Sequence, residues 1–306
     1  MLGYTTRRLL VVAPTVLGVV TVVFLLLHAM PGDPVDAMLG ESATVADRAE
    51  LRRHLGLDRP LLTQYAEFLG GLAKGDLGTS IHGGRSVSAL IAAQYPATLG
   101  LALAAVAVAL AIALPLGLLA AARPYGPVDR ASLAAGLLGA AVPNFWLGPM
   151  LIIVFAVKLG WLPVSGIGGP AHYVLPAVTL GGSMAGILTR MTRTTVLETL
   201  HEEYVRTARA KGASELVVLG KHALANAATP ILSIVGLQFG ALLAGATITE
   251  NVFARPGLGT LIFEAIKQRN YPVVQGCVLV VAVITVTVNL LVDLAYGLAD
   301  PRIRRA

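Results

Sequence analysis

The sequence contains little charge for its length. Only 13% of its 306 residues are Asp, Glu, Lys or Arg, and 56% are hydrophobic, whereas a soluble globular domain carries about 25% charged residues. This scarcity of charge, with a mean hydropathy of +0.75, excludes an ordinary soluble protein. The composition predicts an all-α integral membrane protein.

Cysteine is also nearly missing. The single cysteine, Cys277, lies in an apolar stretch, so an intrachain disulfide or a zinc site built from several cysteines is excluded. The formal charge of +6 comes from basic residues near the ends of apolar stretches, without the groove-reading or aromatic elements of a nucleic-acid interface. We therefore expect no metal site and no nucleic-acid partner.

Motifs for catalysis are incomplete. His201-Glu202 begins like a zinc-protease helix, but the second histidine position holds Val205. Around Gly220-Lys221, a phosphate-binding loop would need its first glycine at Glu215 and a hydroxyl residue at His222. We expect no catalytic residue and no cofactor in this chain, so another chain must bind any ATP that is used.

Several apolar stretches are long enough to cross a bilayer core of about 30 Å. They are Leu9–Leu27, Ala97–Ala122, Ala131–Val157, Pro230–Thr249 and Val273–Val292. A sixth stretch, residues 173–189, is shorter and contains Pro176. Six spans place both termini, the turn at residues 121–130 and a polar segment at residues 198–226 on one side, as the positive-inside rule requires. We predict six transmembrane helices with cytoplasmic termini.

The segment between the first two spans has the pattern of a helical insertion outside the membrane. Thr44 and Asp47 form a capping box before a predicted helix at residues 49–55. A second predicted helix, residues 60–73, carries one apolar stripe, which packs on the rest of the protein or on the membrane surface. We therefore divide the chain into an N-terminal region, residues 1–96, and a transmembrane core, residues 97–306.

The polar segment has an internal pattern of its own. Residues 203–211 predict a short helix that ends at Gly212, and Ser214 is a suitable cap for a second helix at residues 215–219. Thr229 and Pro230 then mark the predicted start of the fifth span.

Uncharged polar residues occur within or beside the spans. They are Ser183, Gln238, Thr247 and Asn289. These side chains line a passage or form hydrogen bonds between helices, and the sequence favours neither alternative.

The polar segment resembles the EAA loop of ABC importer permeases. The match consists of residues 203–212 (EYVRTARAKG), nine further residues and then His222-Ala-Leu-Ala225. Both ends depart from the general EAA and I-x-L-P forms, in the way that the peptide/nickel branch of this family does. Further similar motifs occur in the order found in that branch. They begin at Met30, Gly56, Gly75, Pro143, Glu250, Tyr271 and Asp300.

This resemblance implies a MetI-like type I fold and a defined complex. The chain would form half of a translocation pathway with a second, homologous permease, in a bacterial or archaeal cytoplasmic membrane. Two ATPase subunits would bind ATP and magnesium, and an extracytoplasmic solute-binding protein would deliver the substrate.

The resemblance also implies site residues. The contacts with the ATPase would be Glu203, Arg206, Thr207, Ala208, Gly212, Ala213 and Ser214. The binding protein would dock near Glu250, Asn251, Arg255 and Trp161, and the pathway or gate would include Gln238, Thr247, Ser183 and Asn289.

The substrate has two alternatives within this architecture. Di- or oligopeptides are the main expectation, and nickel or a metal chelate is the other. A self-contained secondary transporter or channel is the alternative from a different class, although the spans lack the mid-membrane ionisable residues that ion coupling requires.

Overall fold

The computed structural model describes residues 2–29, 35, 39, 44–54 and 56–299. Regular secondary structure in this part of the chain is helical. The motifs that begin at Met30 and Asp300 lie outside the described residues. The helices are α1 (Leu2–Ala29), α2 (Val45–His54), α3 (Leu61–Ala73), α4 (Val87–Ala122), α5 (Pro127–Ala141), α6 (Asn144–Lys158), α7 (Ala171–Leu200), α8 (Glu203–Ala210), α9 (Glu215–Val252), α10 (Leu258–Lys267) and α11 (Tyr271–Ala299).

Four of these helices are long and apolar enough to cross a membrane. They are α4, α7, α9 and the part of α11 from Tyr271 to Val292, and the pair α5 and α6 counts as a fifth span if taken together. The weak sixth stretch of the sequence is therefore a full-length helix, α7. In α1 the apolar stretch found is shorter, Val12–Leu25, so a total of six spans stays a prediction.

The stretch expected to form one span at residues 131–157 is instead two helices. The axes of α5 and α6 differ by 102°, and the break lies at Val142 and Pro143. Val142 has an extended backbone with ψ of 120°, because the ring of a following proline disfavours the helical conformation. The two helices together remain the candidate for the expected span, with a break at Val142 and Pro143.

The core of the bundle lies between α4 and α7. Fully buried Ala102, Ala105 and Ala109 of α4 belong to the same apolar cluster as Leu180 and Leu188 of α7. Small residues let the backbones approach closely, which is how helices associate where lipid supplies no hydrophobic drive. On the other side of α7, Gly186 lies directly against the backbone of Gly136 in α5.

A buried ion pair fixes the start of α5 to α7. Arg193 donates to both oxygens of Asp129, from Nε at 2.5 Å and from Nη2 at 2.6 Å. The backbone N–H of Tyr125 donates to the same carboxylate, and its ring lies 5.8 Å from the guanidinium carbon. The turn between α4 and α5 is thus joined to α7 about one and a half turns before the polar segment.

The helical insertion packs against the first helix. Phe24 of α1 contacts Tyr65 and Phe68 of α3, with ring centroids 5.1 and 5.7 Å apart, and the hydroxyls of Thr21 and Tyr65 are 2.6 Å apart. The predicted apolar stripe therefore packs on the rest of the protein. The predicted capping box is confirmed, since the Asp47 N–H donates to the Thr44 hydroxyl and the Thr44 N–H donates to the Asp47 carboxylate.

Helix α9 begins well before the position expected for the fifth span. Thr229 and Pro230 lie inside it, and the predicted short helix at 215–219 is its first part, continued through a π-helical segment at residues 218–223. Proline is tolerated within a membrane helix because neighbouring groups satisfy the carbonyl that its ring leaves free. One continuous helix thus leads from the polar segment into the bundle.

Candidate coupling site

The bend of the polar segment depends on Gly212. Its φ is +85°, a left-handed conformation that glycine adopts without steric cost. Its N–H donates to the carbonyl of Arg209 at 2.9 Å, and the N–H of Ala213 donates to the carbonyl of Ala208 at 3.1 Å. This pair of bonds is the Schellman arrangement that ends a helix. The predicted helix end at Gly212 is confirmed.

An ion pair crosses this bend. Arg209 at the end of α8 donates from Nε and Nη2 to the two carboxylate oxygens of Glu215, at 2.8 and 3.2 Å. The hydrogen bonds to this carboxylate raise the pKa of Arg209 above its ordinary value. Ser214 has the extended backbone of a helix cap, but its side chain makes no capping hydrogen bond. The second arm is therefore positioned by the Arg209–Glu215 pair rather than by the expected serine cap.

Arg209→Ala is expected to have a small effect. The two side chains are 38% and 65% exposed, and an exposed ion pair contributes less than about 1 kcal/mol because water and salt screen it. We expect thermal unfolding of the purified chain to shift by no more than a few degrees, and the shift to disappear at high salt. A large, salt-independent loss of stability would contradict this assignment.

The first arm is anchored to the start of α9. The Tyr204 hydroxyl donates to the carbonyl of His222 at 3.2 Å and accepts from the side-chain amide of Asn226 at 2.8 Å. Partial desolvation raises the pKa of the Tyr204 hydroxyl, although 42% of the residue is exposed, and the adjacent Val205 is fully buried. These contacts hold the first arm of the helix–Gly212–helix unit on the start of α9.

The remaining predicted contact residues differ in exposure. Glu203 and Arg206 form an exposed ion pair at 2.7 Å, Thr207 and Ser214 are exposed, and Ala208 and Ala213 are half-buried. The sequence reasoning missed Leu216, which is 84% exposed. A leucine one residue after Glu215 at the tip of a charged bend is the signal that could have found it. The surface of the bend therefore combines charged groups with an exposed apolar side chain.

A second cluster of polar contacts lies at the opposite end of α9. The fully buried Glu250 accepts from the Thr98 hydroxyl at 2.6 Å, from the Gly259 N–H at 2.8 Å and from the Thr260 N–H at 3.3 Å. The Thr98 hydroxyl also accepts from the Leu258 N–H at 2.7 Å. We call these contacts the Glu250 network. A carboxylate at the first turn of α10 satisfies N–H groups that a helix start leaves without partners.

Arg255, in the loop before α10, binds both the first turn of α7 and the loop before it. Its Nη1 donates to the carbonyls of His172 at 2.9 Å and Gly166 at 3.3 Å. Its guanidinium carbon lies 4.1 Å from the centroid of the Tyr173 ring. Because only 2% of Arg255 is exposed, its side chain is committed to contacts within the chain.

The expected docking residues therefore separate into two groups. Glu250 and Arg255 are buried, so the structure corrects the expectation that they face a partner: both hold the loops of this end together. Asn251 is exposed, and Trp161 is 69% exposed. Only the latter two present a surface to another molecule.

The four polar residues expected in a pathway lie on three helices. Ser183 of α7, Gln238 and Thr247 of α9 and Asn289 of α11 are all half-buried. The Ser183 hydroxyl donates to the carbonyl of Leu180 at 3.2 Å, and Thr247 lies against Gly259 at the start of α10. Among the described residues, no hydrogen bond joins any two of the four, and their place in a pathway stays a prediction.

Two family models match the chain. The model described as "Binding-protein-dependent transport system inner membrane component" matches residues 113–305. The model for the N-terminal part of such membrane components matches residues 1–102.

Curated relatives match over nearly the full length. The di/tripeptide transport system permease protein DppB of Pseudomonas aeruginosa is 41% identical over 333 residues, with 99% of each chain covered. The glutathione transport system permease protein GsiC of Pectobacterium atrosepticum is 41% identical over 304 residues, again with 99% of each chain covered.

A solved structure shares the fold. A structure of inward-facing conformations of the MetNI methionine ABC transporter has a TM-score of 0.59 and 19% sequence identity, covering 69% of this chain and 96% of that chain. This likeness supports the predicted MetI-like permease fold for the helical core. Together with the family models and the full-length relatives, it establishes that the chain belongs to the family of binding-protein-dependent transport system inner membrane components, the multi-pass permease subunits of ABC importers.

Proposed function

We propose that the chain is a permease subunit of an ATP-driven importer of di- and oligopeptides. The observation that carries this proposal is the full-length similarity to permeases that are named for di/tripeptides and for glutathione. None of the relatives reported above is named for nickel, so peptide rather than a metal chelate is the proposed substrate. The chain would provide half of the pathway, and a second, homologous permease would provide the other half.

The helix–Gly212–helix unit is the proposed contact with the ATPase subunits, which would bind ATP and magnesium. The contact residues would be Glu203, Arg206, Thr207, Ala208, Gly212, Ala213 and Ser214, and the structure adds Leu216. Support comes from the exposed apolar side chain among charged groups and from the internal bonds that fix the bend. Because α9 continues directly from this bend, a displacement of the bend would reach the bundle without crossing a loop.

The opposite end of the bundle is the proposed docking face for a solute-binding protein. Exposed Trp161 and Asn251 would contact it, whereas Glu250 and Arg255 would maintain the shape of the loops. This assignment puts the polar segment and both termini in the cytoplasm. In the pathway, we propose roles for Gln238, Thr247, Ser183 and Asn289. Residues 1–96 would form the N-terminal region, with the first transmembrane helix and the extracytoplasmic loop.

Reconstitution tests the proposed function. In liposomes that contain this chain, its permease partner, both ATPases and the loaded binding protein, we expect ATP-dependent accumulation of a labelled dipeptide. We expect no ATP-driven uptake by the chain alone. Uptake by the chain alone would indicate a self-contained transporter, and nickel uptake without peptide uptake by the full complex would contradict the proposed substrate.

A further inference from the structure

A groove opens between α5 and α7 on the surface of the bundle. It has a volume of about 230 Å³ and is lined by Leu133, Leu137 and Ala140 from α5 and by Ile187 from α7. From Leu133 to Ala140 it follows α5 for roughly 10 Å, at about 1.5 Å per residue. Its floor is the close contact between Gly136 and Gly186. An apolar groove of this form fits a hydrocarbon chain.

Two arginines stand at one end of this groove. Arg190 lines it directly, and Arg130 precedes Leu133 by one turn on the same stripe of α5, since positions 130, 133, 137 and 140 share a helix face. Both arginines lie at the end of the bundle that carries the polar segment, because Asp129 pairs there with Arg193.

The charge of these two arginines is not neutralised by an ion pair within the described part of the chain. Both side chains are exposed, and the recorded ion pairs of that part include neither of them. The neighbouring carboxylate of Asp129 is buried and already accepts two bonds from Arg193. A negatively charged group above the apolar groove would complement both guanidinium groups.

We propose that this groove binds an anionic phospholipid, with an acyl chain between α5 and α7 and its phosphate held by Arg190 and Arg130. The position of the two arginines agrees with a lipid phosphate, because long basic side chains near the ends of membrane spans reach the membrane interface. The inference rests on the proposed function for the side of the membrane, which puts the arginines in the cytoplasmic leaflet, where anionic lipid attracts basic groups. A bound lipid would fill the groove between α5 and α7 beside the Asp129–Arg193 pair.

Photo-crosslinking of the full-length chain tests this site. A benzoyl-phenylalanine at Ile187 would report the occupant of the groove, and one at Leu138, which lies on α5 and is 67% exposed, is the matched control for the general lipid surface. Both chains are placed in equimolar phosphatidylglycerol and phosphatidylcholine, and adducts are identified by mass spectrometry. We expect phosphatidylglycerol to be enriched at least about fivefold at Ile187 relative to Leu138. This factor corresponds to the attraction of one basic side chain for anionic lipid.

Substitution of the arginines gives the decisive comparison. The double variant Arg130→Gln and Arg190→Gln should reduce the enrichment to the level at Leu138, Arg190→Lys should retain most of it, and Arg123→Gln in the nearby turn should leave it unchanged. Equal headgroup composition at both positions, or enrichment that survives the double variant, would overturn the proposal.

A second arm places the same crosslinkers in cell membranes that contain the assembled complex. A phospholipid adduct at Ile187 supports the site, whereas an adduct to a second permease would mean that protein covers the groove and would overturn it. Dipeptide uptake is measured in the same membranes. Missing uptake with unchanged lipid adducts would contradict the proposed function and leave the lipid site supported.

Discussion

Gly212→Pro is expected to abolish ATP-driven uptake while leaving the chain inserted in the membrane. Gly212 has a φ of +85°, whereas proline is fixed near −65° and has no N–H to donate to Arg209. An incompatible proline costs about 3 kcal/mol or more, which reduces the population of the native bend by a factor of about 100. We therefore expect uptake to fall by a similar factor, with ATP hydrolysis by the complex no longer linked to transport.

The controls for this variant separate the bend from the rest of the segment. Gly212→Ala keeps the N–H and faces a left-handed conformation that costs roughly 1–2 kcal/mol, so a partial loss of uptake is expected. Gly220→Ala should change uptake little, because nothing lies within 4 Å of the added carbon. Insertion is checked by membrane fractionation. Normal uptake by Gly212→Pro would remove the basis for the proposed ATPase contact.

Glu250→Ala is expected to cause the largest loss of stability. The substitution removes the acceptor for Thr98, Gly259 and Thr260, and each buried donor without a partner costs about 1–3 kcal/mol. We expect a total loss of roughly 3 kcal/mol or more and a clearly lower midpoint of thermal unfolding in detergent. Loss of order should begin at α10, where limited proteolysis would detect it.

Two variants delimit this effect. Glu264→Ala removes an exposed carboxylate from α10 itself, whose contact with Lys267 is long at 3.8 Å, so stability should hardly change. Glu250→Gln retains one oxygen acceptor and should lie between alanine and the native residue. A Glu250→Ala variant with the same unfolding midpoint as the native protein but weaker docking of the binding protein would contradict this prediction. Glu250 would then be a contact residue and not a support for the loop.

The sequence predicted the parts of the structure that depend on local chemistry. The helix end at Gly212 and the capping box at Thr44 and Asp47 each follow from what one residue type permits at its own position. The membrane character followed from composition alone. These features need no knowledge of which helices are neighbours.

The errors arose where neighbours decide the outcome. Pro230 has the pattern of a helix start, yet the helix continues through it, whereas Pro143 lies in an apolar run long enough for one span and breaks it. No local signal separates the two prolines, because a proline inside a membrane helix needs groups from elsewhere to satisfy the carbonyl that its ring leaves free. Burial of Glu250 was equally beyond reach, since its partner Thr98 is 152 positions away in sequence.

The unbroken course of α9 from Glu215 to Val252 sets a rule for changes in chain length. Adding one residue to a regular helix turns everything beyond it by about 100° and shifts it by about 1.5 Å, which would carry Glu250 away from Thr98 while Arg209 still held Glu215. Insertions and deletions of single residues should therefore destabilise the fold along most of this helix. The π-helical turn at residues 218–223 is the exception, because such a turn accommodates an additional residue locally, and it is there that deletion of a single residue should be tolerated best.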